Sequence, residues 1–315
     1  MGTTKSKTLP PLIFNVFKPA RAGSFDVVRH FKRNLPDGFG KIGHFGTLDP
    51  FACGVLLIGI GGAARLNDLV HRFLPKTYLA IGRLGRQTDT GDWEGKVTQT
   101  DESRYLAEVI GSFDKAFIEE TLRKKFLGTY WQAPHVYSAT KFQGKALHQW
   151  AREGVEIKKE PVQRFVHSLD VVRWQYPFLC LRVTVSSGTY VRTLFAEAAQ
   201  ELGTIGSLIA LQRESIGPVK CTAGLKSGQW PVKGGTDVTV HGILPEDLLP
   251  FHRWTIPEDR EKAFLNGLAQ RLDCRDEFAW GMSREGENWG LLQRFENDWR
   301  VVINFRAKLA TENDL

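Results

Sequence analysis

The chain is poor in cysteine. Four occur in 315 residues, at positions 53, 180, 221 and 274, and no two stand as a CxxC pair. That spacing excludes the usual zinc and dithiol motifs, and so small a number excludes a disulfide scaffold. Free thiols in a reducing compartment are expected. Long apolar runs are also lacking. The longest, Val55 to Ala64, is short and interrupted by glycines, so no membrane-spanning helix is expected. Met1 to Thr8 is polar, with two lysines and no apolar stretch, which leaves no secretory signal in view. No internal repeat or low-complexity tract stands out. Acid is the scarcer charge: 35 Asp plus Glu against 42 Lys plus Arg give a net +7. The surplus permits an anionic partner such as nucleic acid without requiring one. A cytoplasmic protein without membrane contact is the expectation.

What is present is an ordinary globular composition, 42% hydrophobic and 24% charged, and a length that suggests two domains at ~150 residues each. Residues 1–8 read as a frayed tail. Leu12 to Phe17 is a short apolar run that predicts a strand. Ser24 is placed to cap a helix with Phe25, Val28, Phe31 and Leu35 on one face, stopped by Pro36-Asp37-Gly38. Thr77 to Leu84 predicts a strand and Phe113 to Phe126 an amphipathic helix. Leu179, Leu181, Val183 and Val185 alternate with period two, the pattern of a half-buried strand. A Ser-Ser-Gly turn at 186–188 leads to a helix from about Thr193 to Leu202. The β runs lie between helices without a regular βαβ period, so the expected class is α+β with a mixed, largely antiparallel sheet. Pro245 and Pro250 suggest a boundary near 248. Residues 9–248 then form a main domain and 249–315 a small β-rich one, with a helix at Pro257 to Leu265 and strands at Trp289 to Phe295 and Trp299 to Phe305.

The segment from Lys41 to Leu56 is unlike the rest. Gly43, Gly46 and Gly54 allow positive φ or close backbone approach, and Asp49 before Pro50 is held out of the α region. A carboxylate is thereby presented on a stiff irregular loop beside His44 and Lys41. It suits a nucleophile or general base, and the two basic side chains suit phosphate contacts. An Asp-Pro pair is also an ordinary turn starter. A rival pattern overlaps: Gly59-Ile60-Gly61-Gly62-Ala63-Ala64 fits GxGxxA after an apolar run, as in a dinucleotide fingerprint. The acidic residue wanted ~20 positions on is missing, since Arg83, Leu84, Gly85 and Arg86 stand there. A glycine-rich strand-to-helix turn is the simpler reading.

Several blocks in one order make the pattern specific. Gly43-His44-Phe45-Gly46-Thr47-Leu48-Asp49-Pro50, with Ala52, Gly54, Val55 and Leu56, resembles the signature loop of the TruB family of tRNA pseudouridine-55 synthases. Lys18-Pro19, Ser24 and Asp26-Val27-Val28 resemble its N-terminal block. Lys76-Thr77-Tyr78 resembles its K-x-Y strand, and Gly85 to Asp92 its TDTxD turn. Gln132, Pro134, Tyr137-Ser138-Ala139, Lys141, Gly144 and Ala151 to Gly154 resemble a further block. Ser186 to Leu194 resembles its SxGTYIRTL stretch. The resemblance runs from about residue 12 to 214.

It implies a pseudouridine synthase core with a small PUA-like C-terminal domain, and isomerisation of one uridine in the T loop of tRNA. It implies that Asp49 is the catalytic aspartate and Arg192 its partner. Tyr78 would stack on the target base, His44 would contact the flipped-out nucleotide, and Leu208 would line the uracil pocket. Read from residue type alone, Lys41 and His44 suit phosphate, and Lys141, Lys145 and Arg152 suit a clamp on RNA backbone, with a solvated amphipathic face as the alternative to the clamp. No metal or cofactor is called for, because the N1–C1′ bond breaks and the base rejoins through C5 without redox change. Attack by Asp49 on the sugar C1′, addition to the base and removal of a sugar proton all stay open. The T arm of tRNA is the expected partner, with no obligate protein partner and a monomeric enzyme. An RNA-folding protein on the same scaffold, and a nicotinamide-dependent enzyme from the glycine run, are the alternatives. Asp89 and Asp92 read as a solvated turn. Phe45, where the family has threonine, is expected to alter how the T loop seats.

Overall fold

We describe a computed structural model of the chain, covering residues 10–133, 141–142, 144–146, 150, 160–235, 237–296 and 298–306. The predicted tail and the motif residues Pro134, Tyr137, Ser138, Ala139 and Arg152 lie outside the described residues, as do the side chains of Lys141 and Lys145.

The chain opens with β1 (Leu12–Lys18), α1 (Ser24–Asn34), β2 (Ile42–His44) and β3 (Cys53–Ile60). A 3₁₀ turn over Gly61–Leu66 leads into α2 (Asn67–Phe73) and β4 (Lys76–Leu84). A short pair, β5 (Arg86–Thr88) and β6 (Val97–Thr100), precedes α3 (Lys115–Phe126) and β7 (Gly128–Gln132). After another short pair, β8 (Lys141–Phe142) and β9 (Lys145–Ala146), come β10 (Val162–Gln175), β11 (Phe178–Val185), α4 (Val191–Glu201), β12 (Gly206–Ile216) and β13 (Val219–Lys220). The last part holds α5 (Pro245–Leu248), β14 (His252–Thr255), α6 (Glu258–Leu265), β15 (Phe278–Met282), β16 (Asn288–Phe295) and β17 (Asp298–Asn304).

A nine-stranded sheet runs in the order β1-β3-β12-β4-β11-β10-β7, with β2 added on β3 and β13 on β12. Every pairing in it is antiparallel except β3 with β12, which meet in parallel at Cys53↔Gln212 and Gly54↔Arg213. The fold is therefore α+β, as the absence of a βαβ period implies. β11 alternates as its sequence predicts: Leu179, Leu181, Val183 and Val185 are buried. They join Phe126 of α3 and Phe195 of α4 in the main core.

α1 departs from expectation. Its N-cap is Gly23, and Ser24 is the first helical residue, buried, with its hydroxyl turned to Leu48 rather than back to the helix. Phe25 is not on the buried face; it is 71% exposed, and Val27 packs in with Val28 and Phe31.

The glycine run at 59–64 serves packing. β3 ends in the 3₁₀ turn, and at this end its neighbours are antiparallel β1 and β2. A Cβ on Gly59 would lie 2.5 Å from the Phe45 ring, and one on Gly62 2.4 Å from the Phe305 ring. The glycines admit two aromatic side chains; no strand–helix phosphate cradle forms.

The C-terminal segment forms a separate four-stranded sheet, β14-β15-β16-β17, with β14 parallel to β15. Its core continues into the main domain. Leu248, Leu249, Phe278, Trp280 and Ile303 share one buried cluster with Val55, Leu57 and Val70. The Trp280 indole donates to Leu249 O at 2.8 Å, and Arg72 of α2 grips Glu277 with two hydrogen bonds.

Candidate active site

The Asp49 loop is pinned from several sides. Ser24 Oγ and Leu48 exchange hydrogen bonds at 2.9 Å through both backbone groups of Leu48. The Lys18 ammonium, fully buried, donates to the carbonyls of Pro19 (3.0 Å), Ala22 (2.7 Å) and Pro50 (3.3 Å). Burial holds its pKa down at about 8. Arg213 of β12 is 1% exposed and donates to Val55 O (2.7 Å), Gly46 O (3.1 Å) and Thr47 O (3.3 Å). Gly54 has φ +115°, and a Cβ there would come within 2.2 Å of Arg213 O. Only glycine lets β3 and β12 approach at this point. Leu48, Phe51 and Ala52 anchor the loop in the main core. The carboxylate of Asp49 is thus presented on a fixed loop with its side chain 31% exposed.

Arg192, the second residue of α4, binds it from below. Its Nε lies 3.0 Å from Asp49 Oδ2, and Nη2 donates to Asp49 Oδ1 at 3.2 Å. Nη1 turns the other way, to Thr90 O (2.6 Å) and Asp92 Oδ2 (3.1 Å). A cation in the first turn of a helix opposes the helix dipole, and two carboxylates offset that cost. Loss of water around Asp49 raises its pKa above the ordinary carboxylate value, Arg192 opposes the rise, and Asp92 adds to it.

Asp92 is the residue that sequence reasoning missed. It is buried, and not solvated as expected for that turn. Oδ1 accepts from Thr90 Oγ1 (2.9 Å) and Glu94 N (3.1 Å), and Oδ2 takes Arg192. Asp89 is half-buried and accepts from Lys96 N at 2.8 Å.

Tyr78 on β4 is 7% exposed, and Leu208 on β12 is fully buried; both belong to the same cluster as Leu48 and Phe51. Leu208 N donates to Gly91 O at 3.0 Å, beside Asp92. His44 lies half-buried on β2, with the Phe25 ring edge-on at 6.1 Å. Burial and then Arg213 lower its pKa, so His44 is neutral at pH 7 and adds no charge to the surface. Lys41 is exposed at the start of the same strand. Phe45 is 1% exposed and packs against Gly59, so it faces the core. The basic turn at Arg83 and Arg86 lines a 450 Å³ depression that also holds Asp101 and Glu102, so charge is balanced there. Among the described residues, the structure brings together Asp49, Arg192 and Asp92 directly, and Tyr78 and Leu208 share a buried cluster with the loop residues Leu48 and Phe51.

A family profile described as TruB family pseudouridylate synthase (N terminal domain) matches residues 32–191. A curated relative from Clostridium kluyveri, called tRNA pseudouridine synthase B, is 40% identical over 205 residues, 65% of this chain and 67% of its own. Another of the same name, from Thermosipho melanesiensis, is 31% identical over 274 residues, 87% of this chain and 85% of its own. The chain belongs to the TruB family. The family fold extends to more distant proteins: a chain in the crystal structure of a Cbf5–Nop10–Gar1 complex aligns with TM-score 0.67 at 20% identity, covering 94% of this chain and 85% of that one. In this TruB protein the profile spans Asp49, Tyr78 and Asp92. It ends at Val191, one residue before Arg192.

Proposed function

We propose that this enzyme isomerises one uridine in the T loop of tRNA to pseudouridine, with Asp49 as the essential carboxylate. The observation that carries the reading is the single arginine clamped between Asp49 and Asp92. It orients the Asp49 carboxylate and favours its charged form, while that side chain stays 31% exposed. Product and substrate have the same atoms: N1–C1′ breaks, C5–C1′ forms, C5 loses a proton and N1 gains one. The balance asks for no co-reactant.

A uridine within a folded loop must leave its stack to reach Asp49, at a cost of a few kcal/mol. The Tyr78 ring beneath the site offers a π-face worth roughly 1–3 kcal/mol to an inserted base. Leu208 supplies an apolar wall. His44, neutral and partly exposed, serves as a hydrogen-bonding contact for the extruded nucleotide, and Lys41 as a phosphate contact. The small C-terminal domain, residues 249–315, is assigned as an added RNA-binding surface. The enzyme is read as a cytoplasmic monomer that works on the tRNA T arm. No helix among the described residues is long and apolar enough to cross a membrane.

The test is a full-length tRNA transcript incubated with the purified protein in buffer alone. Pseudouridine mapped to one T-loop position supports the reading. Unmodified RNA, or modification scattered over other stems, overturns it.

A further inference from the structure

Four cationic side chains are buried around the Asp49 loop: Lys18, Lys76, Arg192 and Arg213. The carboxylates there are Asp49 and Asp92, and both are bound to Arg192. Backbone carbonyls surround Lys18 and Arg213. Lys76 has neither. Its partners among the described residues are Ser187 Oγ at 2.5 Å and His71 Nδ1 at 3.3 Å. Ser187 Oγ also contacts His71 Nδ1. A Cβ on Gly46, three residues before Asp49, would lie 3.2 Å from both Lys76 Nζ and His71 Cε1. This cluster therefore borders the catalytic loop.

Among the described residues, no carboxylate pairs with Lys76. α2 contributes His71, Asp68 and Arg72; β12 contributes Arg213; β2 contributes the neutral His44. Arg72 is already committed to Glu277. Asp68 acts on His71 and is outweighed by burial and Lys76, so the imidazole titrates only at about 4. Burial and Arg213 bring Lys76 down to about 7. Asp68, His71, Arg72, Ser187 and Gly188 line an open depression of 370 Å³, and Lys76 meets it through its contact with Ser187 Oγ. A buried ammonium without an acid partner is costly, and a hydroxyl and a backbone glycine at an opening, with a cation directly behind the hydroxyl, suit a phosphate.

We propose that the Lys76–Ser187–His71 cluster seats one backbone phosphate of the RNA substrate beside the Asp49 loop, with Lys76 as the countercharge. The inference rests on the RNA-modifying function above. The phosphate oxygen accepts from Ser187 Oγ and draws Lys76 to its protonated form, so RNA binding above neutral pH takes up a proton at this residue. Binding energy from a phosphate held here fixes the loop-side end of the substrate while the base turns.

The test compares wild type with Ser187→Glu, which offers Lys76 a carboxylate and fills the seat. T-arm hairpins carrying one neutral methylphosphonate linkage at a time are titrated against each protein. One linkage near the isomerised uridine is expected to weaken wild-type binding about tenfold and to leave the variant within about twofold, with the variant's salt slope lower by about 1. The variant melts at the same or higher temperature, which separates a filled seat from a misfolded protein. Ser187→Ala, the milder change, is expected to lose part of the same linkage effect. If no linkage distinguishes the two proteins, the proposal is overturned. If inorganic phosphate stabilises wild type but not Ser187→Glu while no linkage matters, the site serves free phosphate and the RNA assignment is likewise overturned. Pseudouridine formation by wild type is measured in the same reactions. Its presence without linkage coupling refutes this inference alone, and its absence refutes the function on which it rests.

Discussion

Replacing Arg192 by methionine keeps most of its volume and removes its charge. The guanidinium is 6% exposed, Asp92 is 7% exposed and Asp49 is 31% exposed. Taking one partner from a buried ion pair costs about 3–5 kcal/mol, because a carboxylate is left without its cation. Asp49 keeps some water, so the lower end applies, about 3 kcal/mol at pH 7.5. The loss must depend on pH. Desolvation already lifts the Asp49 pKa, with Arg192 as the main opposing influence. Without the arginine that pKa rises further, and the folded state binds more protons than the unfolded chain between the two values. Stability then falls as pH rises through this window. Urea unfolding of Arg192→Met at pH 5 and pH 8, each against wild type, reads the effect. The deficit should be clearly smaller at pH 5, where protonation relieves Asp49. A deficit under about 1 kcal/mol at pH 8, or one equal at the two pH values, would refute a charge-balancing role for Arg192.

Asp49→Asn should lose pseudouridine formation while its melting temperature holds or rises, since Arg192 retains Asp92 and the more exposed of two crowded carboxylates is gone; a fall of several degrees would contradict this. The acidic limb of the kcat/KM profile should lie above the ordinary carboxylate range of about 4, because Asp49 must lose its proton from a raised pKa. A limb at or below that value would go against the desolvated site. Trp280→Ala should cost about 3–5 kcal/mol, with both sheets losing stability in one transition because Trp280 sits in the cluster they share. Arg72→Ala, which removes the exposed bridge to Glu277, should leave the melting temperature unchanged. Chemical denaturation of each variant checks both.

The site's centre was legible in the sequence because its signals are local. Glycines around an Asp-Pro pair announce a constrained loop, and Gly46 and Gly54 do take positive φ there. Asp92 was not legible as a partner. Thr-Asp-Thr-Gly-Asp has the composition of a surface turn, and its burial depends on an arginine 100 positions later. Phe25 fits the apolar spacing of α1, yet it stands at the first turn beside His44, where no core reaches it. β11 showed its period because one face is only half covered. β15 did not, since Phe278 to Met282 are buried on both faces and alternation vanishes. The shared core across 248–249 also escaped, because a proline-bracketed segment reads as a linker while Leu248 and Leu249 pack inward. The Lys76 cluster joins β4, α2 and the 186–188 turn, and only the folded chain brings them together.

The most direct measurement is a single-turnover reaction on a T-arm transcript without added cofactor, comparing wild type with Asp49→Asn at equal RNA occupancy. Wild type should convert one T-loop uridine completely, and Asp49→Asn should bind the RNA and convert none. Full conversion by Asp49→Asn, or none by wild type, would contradict the account.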